Sequence, residues 1–85
     1  MGTPKVVMYA ADWCGYCARA RNLLLGKGVA VEEIDVQAVP GAHAEMLARC
    51  GRGTVPQIFI GDEHIGGADE LDMLDAAGRL DPMLK

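Results

Sequence analysis

With 85 residues, 51% of them hydrophobic, the chain has room for one hydrophobic core, so residues 1–85 read as one domain. Its net charge of −4 argues against nucleic acid as a partner, since phosphate binding needs a basic surface. No apolar run approaches the roughly 18 residues of a membrane span, and three cysteines, two of them three positions apart, do not make a secreted disulfide framework.

The first five residues, Met1-Gly2-Thr3-Pro4-Lys5, lack the apolar stretch and small-residue cleavage site of a signal peptide, so the expectation is a soluble, cytoplasmic protein. Lys5 to Tyr9 is a short apolar run and reads as a buried strand. Cys14 to about Lys27 holds good helix formers and stops at Gly26 and Gly28. Val29 to Asp35 alternates and is β-branched, a second strand. Pro40-Gly41 is a turn, and Ala42 to Cys50 is a helix closed by Gly51. Pro56 to Ile60 is a third strand, joined by a tight Gly61-Asp62 turn to a brief fourth, Glu63 to Ile65. Gly66-Gly67 opens a helix with Leu71, Met73, Leu74 and Ala77 expected on or near one face, and Leu80 to Lys85 forms a last helical turn. The order β-α-β-α-β-β-α has a right-handed crossover between parallel strands one and two, and a hairpin of strands three and four. It predicts an α/β layer, a four-stranded mixed sheet flanked by helices, which is the thioredoxin fold in minimal form.

Cys14 and Cys17 fall where a loop after a strand enters a helix. The unpaired N–H groups and the dipole of that helix start favour a thiolate. Cys14 is therefore expected to be the exposed nucleophile, and Cys17, nearly one turn deeper on the same face, the resolving thiol. A zinc site is the weaker reading, because no second C-x-x-C exists and His43 and His64 do not have zinc-finger spacing. Both histidines read as surface residues, and Cys50 as a buried or half-buried residue at a helix end.

Three separated motifs then line up in order: Cys14-Gly15-Tyr16-Cys17, Thr54-Val55-Pro56 and Gly66-Gly67-Ala68-Asp69. With Val55 to Ile60 and Leu80-Asp81-Pro82, they make the chain resemble a bacterial dithiol glutaredoxin from about Lys5 to Lys85. The resemblance implies a cis peptide bond before Pro56, with the Val55 backbone turned toward Cys14 to pair with the cysteinyl part of glutathione. It further implies that backbone N–H groups at Gly67 and Ala68 bind the γ-glutamyl carboxylate, that Asp69 accepts from the ammonium, and that Tyr16 walls the groove.

The departures are equally specific. Gly15 stands where many dithiol members have Pro, and Ala11 where many have Lys, so one cation near the thiolate and the glycyl carboxylate is missing. Arg52 is the expected replacement partner for that carboxylate, with Gln57 and Arg49 behind it. Trp13-Cys14-Gly15 is similar to thioredoxin, but the Gly-Gly-x-Asp element is not found in that family.

The resemblance implies glutathione-dependent reduction of protein disulfides and of protein–glutathione mixed disulfides, by a protein monomeric in its apo state. An alternative is a [2Fe–2S] cluster bridging two protomers, each giving its first cysteine, here Cys14, with two glutathiones supplying the other thiolates. A thioredoxin-like reductase recycled by a flavoenzyme is the third reading.

Overall fold

The computed structural model describes residues 4–85. Along the chain run β1 (Val6–Ala10), α1 (Gly15–Gly26), β2 (Val31–Asp35), α2 (Ala42–Cys50), β3 (Gln57–Ile60), β4 (Glu63–Gly66), α3 (Ala68–Ala76) and α4 (Leu80–Met83). The sheet order is β2-β1-β3-β4, with β1 parallel to β2 and antiparallel to β3, and β3 antiparallel to β4. The architecture expected from the sequence, the thioredoxin-like four-stranded mixed sheet with helices, is the one observed. No helix among the described residues is long and apolar enough to cross a membrane.

Successive side chains of a strand point to opposite faces, and β1 is apolar on both. Val6, Met8 and Ala10 join Ala20 and Leu24 of α1, Leu71 of α3 and Leu80 of α4 in one core layer. Val7 and Tyr9 face the other way, against Met46 of α2 and Phe59 of β3. The central strand is thus sandwiched between helix layers, and its C-terminal end is pinned where the loop to α1 begins.

One expectation about the core fails. Met73 is 70% exposed and Ala77 is exposed, while α3 turns Ala68, Leu71 and half-buried Leu74 inward. Residues three apart share a helix face, whereas Met73 lies about 200° around the axis from Leu71.

Candidate active site

The site forms where the end of β1, the start of α1 and the loop before β3 meet. Cys14 is the N-cap of α1, with extended backbone (φ −88°, ψ 108°), so its side chain folds back over the first turn. Its Sγ accepts from the Cys17 N–H at 3.2 Å, and its S–H donates to the Val55 carbonyl at 3.7 Å. That posture corrects the expectation of an exposed nucleophile: Cys14 is only 7% exposed, its sulfur held between the Cys17 amide and the Val55 carbonyl and packed against the core. Cys17 is fully buried. Burial, and then the hydrogen bond with Cys14, push the Cys17 thiol up to about 12, against smaller opposing effects from the Ala11 backbone and the Arg21 guanidinium. Cys17 is thereby held protonated at neutral pH.

Arg21 escapes a motif search. It lies four residues beyond Cys17 on α1, a spacing that puts both on one helix face, and Glu33 of β2 holds its guanidinium with a bond of 2.7 Å from Nη2. The helical spacing from Cys17 was the available signal. Ala11 brings no charge; it is buried, and its carbonyl accepts the Cys14 N–H at 3.2 Å.

The Val55-Pro56 bond is cis, as the resemblance implied. Beside it lies a groove of about 460 Å³ lined by Trp13, Val36, Gln37, His43, Gly53, Thr54 and Val55. Trp13 is 69% exposed at its rim. Exposed His43 reaches the Gly53 carbonyl through Nε2 at 3.1 Å. Tyr16 is exposed on the other flank of Cys14, with the Arg19 guanidinium 5.2 Å from its ring centre.

Several side chains expected to await a ligand are already engaged. Arg52 donates to Glu70 at 3.0 Å, and the same Glu70 oxygen accepts the Gly67 N–H at 2.7 Å. That amide, followed by Arg52, holds the Glu70 carboxyl below its usual range. Asp69 receives Arg19 at 2.7 Å, and Arg19 reaches Asp72 at 3.1 Å as well. Ala68 is buried, and the Gly67 backbone faces the Pro56 carbonyl. Two candidates do not face the groove at all. Gln57 is fully buried, and Arg49 lies over the Phe59 ring at 3.9 Å and donates to the Tyr9 hydroxyl at 3.1 Å. Gln57 shares the α2 side of the sheet with Tyr9, its partner in β1, while Ile58 faces the other layer. His64, expected at the surface, is half-buried, with its ring 5.0 Å from that of Phe59. Cys50 is half-buried at the end of α2, as expected, and its thiol donates to the Met46 carbonyl at 3.2 Å.

The family profile described as Glutaredoxin matches residues 6–65. The chain is 50% identical over 81 residues to Glutaredoxin 3 of Escherichia coli, a match spanning 95% of this chain and 98% of that protein. Among solved structures it is similar to the solution structure of glutaredoxin from Brucella melitensis, with a TM-score of 0.86, 48% identity, and coverage of 100% of this chain and 92% of that one. It is also similar to a buckwheat glutaredoxin–glutathione complex, with a TM-score of 0.87, 34% identity, and coverage of 96% and 76%.

Proposed function

The chain belongs to the glutaredoxin family, and from that membership we propose that it is a glutathione-dependent thiol–disulfide oxidoreductase acting on protein disulfides and protein–glutathione mixed disulfides. The observation that carries this reading is Cys14 Sγ, held at the N-terminus of α1 beside the Val55 carbonyl. The Cys14 thiolate attacks a substrate sulfur, forming a mixed disulfide and expelling the other sulfur as a thiolate, which takes a proton from solvent. Glutathione resolves that adduct when the substrate is a glutathione mixed disulfide. Cys17 resolves it when the substrate is an internal disulfide, losing its proton and leaving the Cys14–Cys17 disulfide for two glutathiones to reduce.

Glutathione lies, in this reading, with its cysteinyl backbone along Val55 and Pro56, its γ-glutamyl end at Gly67, Ala68 and Asp69, and Tyr16 beside its sulfur. Thr54 and Arg52 border the glycyl end. Arg52 and Asp69 exchange their exposed protein partners, Glu70 and Arg19, for the ligand, which such weak surface pairs permit. A coupled glutathione/glutathione-reductase assay on a small mixed disulfide tests the proposal. Turnover with thioredoxin reductase in place of glutathione would sink it.

One observation favours cluster binding as a second property. Gly15 is exposed, and a Cβ built there would meet nothing from elsewhere in the chain within 4 Å, so this position presents no side chain to an approaching second protomer. Cys14, at the very start of α1 with Cys17 a turn deeper, is the sulfur each protomer would offer, and two further thiolates would come from glutathione. Anaerobic purification followed by a visible absorption spectrum tests this.

A further inference from the structure

Gln57 is the one buried polar side chain among the described residues, in a strand otherwise made of Ile58, Phe59 and Ile60. Burying a primary amide costs free energy unless its hydrogen bonds are made, and here they are. Nε2 donates to the Thr54 carbonyl at 3.0 Å and to the Thr54 hydroxyl at 3.3 Å, while Oε1 meets His64 Nε2 at 2.7 Å. Turning the amide over would set its oxygen against the Thr54 carbonyl, so Oε1 faces His64, and the imidazole carries its hydrogen on Nε2.

These bonds matter because of the loop they hold. Residues 52–56 make no backbone–backbone hydrogen bond among the described residues. Side chains hold the loop instead: His43 on the Gly53 carbonyl, Gln57 on Thr54, and Cys14 on the Val55 carbonyl. Thr54 directly precedes Val55, whose backbone is the edge proposed to pair with substrate. Neither Gln57 nor His64 is a hydrogen-bond partner of Cys14 or Cys17.

We propose that His64 and Gln57 are positioning residues for the substrate edge: His64 donates to Gln57 Oε1 and orients the amide, whose NH₂ pins Thr54 and so sets the Val55 backbone beside Cys14. The inference rests on the proposed reduction of disulfide substrates at Cys14. It replaces the carboxylate-binding role that the sequence suggested for Gln57 with a role from behind the loop.

The test compares His64→Leu, which removes the donor, with His64→Gln, which keeps a nitrogen donor at similar reach. Gln57→Met serves as a second way to release Thr54 should His64→Leu fail to fold. On a small glutathione mixed disulfide, His64→Leu is expected to raise KM about tenfold with kcat within about twofold, and His64→Gln to bring KM back within about threefold of wild type. An unchanged KM in His64→Leu, or an equal rise in both His64 variants, overturns the inference, the latter by assigning the effect to ring packing on Phe59. A second readout needs no glutathione. In ¹H–¹⁵N spectra the Thr54 and Val55 amide signals should shift in His64→Leu and stay near their wild-type positions in His64→Gln. If wild type fails to turn over glutathione substrates, the proposed function falls, and the amide signals alone then decide the positioning role: unchanged signals overturn it.

Discussion

Arg19 on α1 and Asp69 in the first turn of α3 are joined by a 2.7 Å ion pair across 50 residues of sequence, on the flank of Cys14 where Tyr16 is exposed. The carboxylate that the sequence marks for a ligand ammonium is thus neutralised before any ligand arrives. Asp69→Ala should raise the KM for glutathione about tenfold, the loss of one charge-assisted contact. Arg19→Ala should move it the other way, by up to about threefold, because the ammonium no longer competes with a guanidinium. Both variants should melt close to wild type, since the pair is exposed. Steady-state kinetics at varied glutathione decide it, and an unchanged KM in Asp69→Ala would reduce Asp69 to a helix-end residue.

The two thiols should separate cleanly by substitution. Cys14→Ser should lose all activity, at least a thousandfold by the usual cost of removing a nucleophile. Cys17→Ser should retain most reduction of glutathione mixed disulfides while losing reduction of internal protein disulfides, because the remaining thiol, Cys50, is directed at the Met46 and Arg52 carbonyls. Parallel assays on the two substrate types read this out, and a reversed pattern would exchange the roles.

Cys17 also sets an alkaline limit on the reduced protein. Its thiol titrates near 12 in the folded state against a reference value of 9.0, mainly through burial. Between those values the folded state binds more protons than the unfolded one, so stability falls as pH rises. The contribution is complete below about pH 9 and lost by about pH 12, a drop on the order of 2–4 kcal/mol. Tyr9, raised by burial and by its bond to Glu45, adds a decline of the same sign. Urea midpoints under reducing conditions from pH 8 to 11 should therefore fall more steeply for wild type than for Cys17→Ser.

Of the two adjacent glycines before α3, Gly66 is the demanding one. Its φ is +115°, and a Cβ there would collide with the Glu70 carboxylate that caps the Gly67 N–H. Gly66→Ala should cost about 1–3 kcal/mol from the backbone alone. Gly67→Ala places its Cβ at 3.4 Å from the Pro56 carbonyl, close but tolerable, so its effect should fall on glutathione KM and little on melting temperature. Equal melting temperatures for the two variants would contradict the assignment.

Element order and the motif positions were legible in the residues because each rests on local signals. β-branched runs mark the strands, Gly51 and Gly61 mark stops and turns, and Cys14 with Cys17 carries its own helical spacing. The α3 face was misread for Met73 because hydrophobicity alone does not say which of several apolar residues meets the sheet; the helix's rotation about its axis decides that. The same limit applies to the site. Sequence identified Arg52, Asp69 and Gln57 as polar residues near the right loops, and said nothing of which already had partners. Glu70, Arg19 and His64 take those places from 18, 50 and 7 positions away. Such pairings depend on how α1, α3 and the β3–β4 hairpin pack against one another. No local pattern encodes that, so the chemistry of Cys14 and Cys17 was written in the chain, while the partners that orient the groove around them were decided by the fold.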